Sequence, residues 1–300
     1  MSGPPDFHGR RILVTGGSRG IGREVAGVLA GRGAAVVVVA RSQGDVERCA
    51  AELPGAGHSA LALDVGEERG WQTAAASGAL EGVDGVVSAA AVLTPVGPIG
   101  AYTPDEFLRT MRVNVLGTLL AVHSCLHSLE AARGAVVAFA GGGATSPQPR
   151  YDAYAASKAA VARLAENLAL ELGERGVRVN AVSPGFVATE IHAATLRAGP
   201  ELAGEGYFAD TERQLDGGGV PALRAAELTA FLLSEAAEGI AGRLISAPWD
   251  PWEEPAFQRR LREDPDLARV RRIDDQRYTT VRPSESGTAP LAAGAAPPAR

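Results

Sequence analysis

Tyr154 and Lys158 stand four residues apart in YAASK, at the head of an alanine-rich stretch with helical patterning. Residues i and i+4 of a helix lie one above the other on the same face. The spacing therefore stacks a phenol on an ammonium, and a nearby cation favours the phenolate. Lys158 is the only lysine among the 29 Lys and Arg side chains of the chain. Arginine is a wide planar fork that stays charged, whereas lysine is a compact charge with a tunable pKa. Position 158 requires the compact charge, and the chemistry such a pair suits is proton exchange with an oxygen.

Three elements must hold that pair. Residues 135–140 are an apolar run, the glycine-rich AGGGATSP turn follows, and the helix then continues to about residue 172. A similar strand–turn–helix unit opens the chain: RILVT (11–15), then TGGSRGIG (15–22), then an apolar helical pattern from 21 to 29. Glycines let a backbone approach a pyrophosphate, and a helix N-terminus offers free N–H groups and a positive dipole end. In that order the three form a dinucleotide-binding opening. AVVVVA (35–40) reads as a buried parallel strand. Where NAD-binding units place an acid after it, this chain has Ala40, Arg41 and Ser42. Arg41, joined by Arg19, is suited to a 2′-phosphate, so NADP(H) is preferred and NAD(H) comes second.

Residues 58–64 and 83–91 give two more strands. Thr103, Pro104 and Glu106 make a capping box with proline at the first helical position, opening one long helix to about residue 131. Its apolar residues, from Val113 to Leu129, wrap too far round for a single buried stripe, and a second subunit would cover them. His123 and His127 share a face of it without a carboxylate or cysteine beside them, so they read as core or interface side chains and no metal is expected. VRVNAVS (177–183) is a further strand, 190–219 an irregular, weakly helical lid, 222–234 a last helix and RLISA (243–247) a last strand. Strands alternating with helices predict an α/β chain: a single doubly wound, Rossmann-type domain with a parallel, seven-stranded sheet over residues 9–250. An N-terminal arm (1–8) precedes it. A C-terminal extension (251–282) follows, with a mixed-charge helix over 259–282, and then a disordered tail (283–300).

The net charge of −6 gives no case for nucleic acid as a partner. No apolar run approaches the ~18 residues of a membrane span, and the first ten residues lack a signal-peptide core. A cytoplasmic location is expected, with Cys49 and Cys125 as small core residues.

With these pieces in place, the chain resembles the short-chain dehydrogenase/reductase family from about residue 9 to 250. The resemblance rests on TGGSRGIG, Asp64-Val65, Asn114 in NVLG, YAASK and SPGFVAT (183–189). It implies that Tyr154 is the general acid/base, that Lys158 lowers the tyrosine's pKa and binds the nicotinamide ribose, and that Asn114 holds a water in a proton relay. It further implies a cofactor site of Gly16, Ser18, Arg19, Gly20, Ile21, Gly22, Arg41, Ser42, Asp64, Val65, Ala90, Tyr154, Lys158, Pro184, Gly185, Val187 and Thr189. In this family the helices bearing Asn114 and Tyr154 commonly form a symmetric interface, which implies a homodimer or homotetramer. The chain departs from the family at two places. The usual serine thirteen positions before the tyrosine is Gly141, as in a subgroup with a GGGAT loop, and the usual Asn-Asn-Ala-Gly is Ser88 to Ala91.

A missing serine removes one donor to a developing oxyanion. Thr145, Ser146, a backbone N–H of residues 141–143 or a substrate hydroxyl are the candidate replacements. The expected substrate is a small polar ketone or alcohol, of keto-sugar or aminocyclitol type. Gly141, Thr145, Ser146, Tyr151, His192 and Tyr207 form its pocket, with Thr94 and Gln148 beside them. Trp249 and Trp252 either close that pocket or anchor a surface turn. The alternatives are a non-redox lyase or epimerase on the same fold, or a cofactor-binding protein of impaired catalysis.

Overall fold

Seven strands, β1 (Arg11–Thr15), β2 (Ala35–Ala40), β3 (Ser59–Ala62), β4 (Gly85–Ser88), β5 (Ala135–Phe139), β6 (Arg178–Ser183) and β7 (Leu244–Ser246), lie in one sheet of order β3-β2-β1-β4-β5-β6-β7. Every neighbouring pair is parallel. The computed structural model describes residues 5–271, and the chain to Val270 is one compact unit. Successive strand residues face opposite sides of a sheet. Accordingly Ile12, Val14, Val36 and Val38 enter the core on one face, while Leu13, Val37 and Val39 enter that on the other. Burial on both faces is why these strands read as continuous apolar runs.

Helices α1 (Gly20–Gly31), α2 (Gln43–Glu52) and α3 (Glu68–Ala76) follow the first three strands. The capping box at Thr103 forms as expected and starts α4 (Pro104–Met111). The expected single helix is interrupted, however, by a π-helical segment, Arg112–Leu116, before α5 (Gly117–Ala131). One extra residue in the turn re-aims Asn114, and π segments of this kind recur at functional sites. Helix α6 (Asp152–Gly173) carries Tyr154 and Lys158. The lid is more regular than expected: α7 (Ala193–Ala203), interrupted at Gly199, meets α8 (Glu205–Asp216). Helix α9 (Ala222–Leu233) leads into β7.

Phe7 is fully buried, which anchors the N-terminal arm. Beyond β7, Trp252, Phe257 and Leu261 pack into the core, the last two from α10 (Pro255–Glu263). Of the mixed-charge helix expected over 259–282, the described part is helical to Glu263, and residues 272–282 lie outside the described residues. The chain then returns along β7, where Leu244 N–H donates to the Ala268 carbonyl (2.7 Å) and Ser246 N–H to Asp250 Oδ2 (2.7 Å). These bonds occupy N–H groups that a sheet edge would otherwise leave open. Trp252 is buried under Arg224 and donates to the Ala247 carbonyl, whereas Trp249 is 81% exposed. The tail expected over 283–300 lies outside the described residues.

Candidate active site

Parallel strands bring their following loops to one edge of the sheet, and that edge is where a doubly wound fold builds its site. Lys158 is buried at 3% exposure, and its ammonium donates to the Phe139 carbonyl at the end of β5 (2.8 Å). The same nitrogen lies 5.5 Å from the centre of the Tyr154 ring. Burial lowers the Lys158 pKa to about 8. The Tyr154 phenol departs from expectation: burial first, and Tyr207 second, push its pKa up. Taking a phenolate out of water is costly, and this favours the neutral phenol.

Asn114 is buried and occupied at both ends of its carboxamide. Its Oδ1 accepts from Val92 N–H (2.8 Å), and its Nδ2 donates to the Val92 carbonyl (2.9 Å) and to Ser157 Oγ (2.9 Å). Ser157 in turn donates to the Tyr154 carbonyl (2.7 Å). These bonds tie the π segment to the first turn of α6. Behind it, Thr118 donates to the Asn114 carbonyl (2.9 Å) and lies 2.8 Å from Ser88 Oγ. The second departure from the family pattern thereby finds a use, because Ser88 joins this buried network. Ser157 was missed in the sequence, although it lies inside YAASK itself.

Glycines shape the cofactor cradle. A β-carbon on Gly16 (φ +66°) would lie 2.9 Å from Ala90 N and Cα, and one on Gly22 would strike the Gly16 carbonyl. Thr15 Oγ1 accepts from Ala89 and Ala90 N–H (both 3.2 Å), which draws the end of β4 against the loop. This close backbone fit, at the N-terminus of α1, suits a pyrophosphate. Ser18 and Ile21 are half-buried on either side of exposed Arg19 and Gly20, and Gly20 approaches Thr189. Arg41 is exposed at the end of β2, and Ser42 caps α2 by accepting from Asp45 N–H (3.3 Å). Asp64 Oδ1 accepts from Gly66 N–H (3.0 Å), while buried Val65 accepts from Trp71 Nε1 (2.9 Å). Gly185 (φ +77°) turns the chain after Pro184 against Pro248 and Val220, and Val187 bridges to Gly219. One partner was not expected: Arg19 Nη1 donates to Glu190 Oε2 (2.7 Å), linking the glycine loop to the root of the lid.

The substrate candidates divide. A β-carbon on Gly141 (φ +151°) would stand 3.6 Å from Tyr154 Oη, so position 141 does face the Tyr154 hydroxyl. Thr145 and Ser146 are exposed, and Thr145 Oγ1 turns back to the Gly142 carbonyl (3.4 Å). Thr94 is exposed as well. Tyr151 is fully buried and donates to Thr195 Oγ1 of α7 (3.1 Å), so it serves as an anchor for the lid. Its ring lies 4.4 Å from that of Tyr207 on α8. With Leu93, Val96, Ile191 and Phe208, these rings form an apolar wall around Tyr154. His192 is buried and stacked on Phe186 (3.9 Å between centres), and burial lowers its pKa. The exposed rings of His123 and His127 stand apart from this site, on α5. Among the described residues no cluster of His, Cys, Asp or Glu is arranged to hold a metal ion, and no helix is long and apolar enough to cross a membrane. Cys49 and Cys125 are both free and buried.

A glycine cradle at β1 and a Tyr–Lys pair on α6 of a doubly wound sheet define a nicotinamide-dependent oxidoreductase acting on CH–OH and C=O groups. The sequence profile of the short chain dehydrogenase family matches residues 10–198, and the chain belongs to that family. It is 32% identical to the versicolorin reductase stcU of Emericella nidulans, over 79% of this chain and 93% of that one. It is 36% identical to the D-threitol dehydrogenase of Mycolicibacterium smegmatis, over 61% of this chain and 72% of the relative. Among solved structures it is similar to an NADP-bound protein from Beutenbergia cavernae, described as an NAD(P)-dependent gluconate 5-dehydrogenase. There the TM-score is 0.70 at 27% identity, over 82% and 97% of the two chains.

Proposed function

We propose that the chain interconverts a ketone and a secondary alcohol with NADP(H), on a small hydroxylated, ring-sized substrate. The observation that carries this reading is the pairing of Tyr154 with Lys158 on α6, with a glycine at 141 leaving room before the phenol hydroxyl. Gly16, Gly20 and Gly22 would admit the pyrophosphate, Arg41 a 2′-phosphate, and Lys158 the ribose next to the nicotinamide. When bound, the cofactor supplies or accepts the hydride. Tyr154 Oη gives its proton to the oxygen that becomes the alcohol, or takes it back in the reverse direction. Lys158 holds a positive charge close to that phenol and eases the step, while Asn114 and Ser157 fix the helix turn that carries both. Tyr151, Ile191, Tyr207 and Phe208 exclude water from the reacting atoms.

The substrate class follows from the two sides of the pocket. The lid side is apolar and aromatic, suited to the C–H faces of a ring, and the glycine turn opposite offers polar groups. The name of the D-threitol dehydrogenase supports a hydroxylated substrate, and that of the versicolorin reductase a ring ketone. Leu108, Leu116 and Leu119 are 47%, 37% and 40% exposed along α4, the π segment and α5, which supports a homodimer covering that face. The direct test is steady-state oxidation of NADPH against a panel of cyclic ketones, compared between the wild type and Tyr154→Phe.

A further inference from the structure

Among the described residues, three that are not glycine adopt a left-handed backbone: Arg133, Arg150 and Ala268. Arg133 follows α5 as a helix stop, where that conformation is ordinary. Ala268 lies on the segment that pairs with β7. Arg150 (φ +73°) is different, because it stands just ahead of α6, in the turn that leads to Tyr154. A non-glycine residue in that region is strained and persists where its surroundings enforce it.

The enforcing contacts run to the lid. Arg150 Nη1 donates to the carbonyls of Glu201 (2.7 Å) and Leu202 (3.1 Å), in the last turn of α7. The last carbonyls of a helix have no partner within it, and a cation there also complements the negative end of the helix dipole. Gly204 makes room for the arginine, since a β-carbon there would stand 3.2 Å from Arg150 Cδ and 3.3 Å from Nε. On the backbone side, the Arg150 carbonyl accepts from Gly97 N–H (2.8 Å).

The gripped segment is bounded by glycines. Gly199 (φ +71°) interrupts α7 and Gly204 (φ +87°) separates it from α8, so residues 200–203 can swivel at both ends. Ahead of Gly199, the bond from Tyr151 to Thr195 fixes the start of α7. Beyond Gly204, α8 brings Tyr207 and Phe208 into the apolar cluster that also holds Tyr154 and buries Ala203. The lid thus has a fixed root and a movable half, and Arg150 grips the movable half.

We propose that Arg150 is a positioning residue: a latch that holds the lid beyond Gly199 closed over Tyr154 and releases it to admit substrate. Two hydrogen bonds from one guanidinium at the surface favour a closed lid, yet are too few to prevent its opening during turnover. The latch is a property of the folded chain, and only its effect on kinetics rests on the reductase reading above.

The test is amide hydrogen exchange of the full chain, read by mass spectrometry with α9 as an internal reference. Arg150→Met keeps the stem and loses the donors, so exchange over residues 200–216 is expected to quicken about tenfold, as for one charge-assisted bond, while α6 and α9 stay as they are. Arg150→Gly, which relieves the left-handed backbone, should quicken it equally without lowering Tm. Arg150→Lys, which keeps a cationic donor, should restore most of the protection. In reduction of cyclohexanone with NADPH, Arg150→Met should raise KM at least about threefold with kcat within about twofold, because less of the enzyme is closed. Unchanged exchange over 200–216 in Arg150→Met and Arg150→Gly overturns the latch, as does faster exchange spread equally over α6 and α9. Faster exchange confined to the lid with KM unchanged leaves Arg150 as a helix cap and overturns its positioning role. Failure of the wild type to reduce any cyclic ketone with NADPH or NADH overturns the reductase reading, while the exchange result still decides the latch.

Discussion

The hydroxyl of Tyr154 faces the α-carbon of Gly141, with 3.6 Å between it and the place a β-carbon would take. The family's serine is thus absent from a position that points at the chemistry. The backbone there is no longer shaped for a serine, since φ at Gly141 is +151°, a region L side chains rarely adopt. Gly141→Ser is expected to lose roughly 1–3 kcal/mol of stability through backbone strain, read as a lowered Tm, without a gain in turnover. A Gly141→Ser variant that is more active and equally stable would show a decayed serine site.

Ionisation at the site gives a pH profile. Burial lowers the Lys158 pKa to about 8, so the ammonium is charged below that pH and neutral above it. Burial and Tyr207 raise that of Tyr154, so the phenol keeps its proton through the same range. Reduction uses both protonated forms. Its kcat/KM should be level below about pH 8 and fall about tenfold per unit above it. In Lys158→Arg, whose guanidinium stays charged, the break should move upward. A break that stays in place in Lys158→Arg would assign it to another group.

Cofactor choice should respond to two cations differently. Arg41→Ala is expected to raise KM for NADPH at least tenfold while changing KM for NADH less than threefold, because only the former carries the 2′-phosphate. Arg19 is held by Glu190 across an exposed pair. Exposed pairs are worth about 0.2–1 kcal/mol, so Glu190→Gln should strengthen NADPH binding by up to about fivefold, and less at high salt. Equal losses for both cofactors in Arg41→Ala would contradict the NADP(H) preference.

Oligomerisation should depend on the face of α4, the π segment and α5. Leu116→Glu together with Leu119→Glu is expected to shift a dimer to monomer in sedimentation velocity. An unchanged sedimentation coefficient would place the interface elsewhere.

The fold was legible where its signals are local. Four consecutive valines on β2 announce a doubly covered strand, and the TGGSRGIG turn places its glycines where β-carbons would collide. What escaped was set by partners distant in sequence. The π segment has no local signature, since Arg112 to Leu116 read as ordinary helix until Asn114 meets Val92 and Ser157. Nor does the sequence show Tyr207 reaching Tyr154 from α8, where with burial it raises the phenol's pKa. The lid read as irregular because Gly199, Pro200 and Gly204 break helical patterning, although helices form on both sides of Gly204. Nor does the sequence show Glu190 reaching Arg19, or Ala268 closing β7.

The central claim is that Tyr154 exchanges the proton of the reaction, and single-turnover reduction of a cyclic ketone by the enzyme preloaded with NADPH tests it most directly. Tyr154→Phe is predicted to slow the NADPH absorbance decay by roughly 10²- to 10⁴-fold. A decay in Tyr154→Phe as fast as in the wild type would contradict the account.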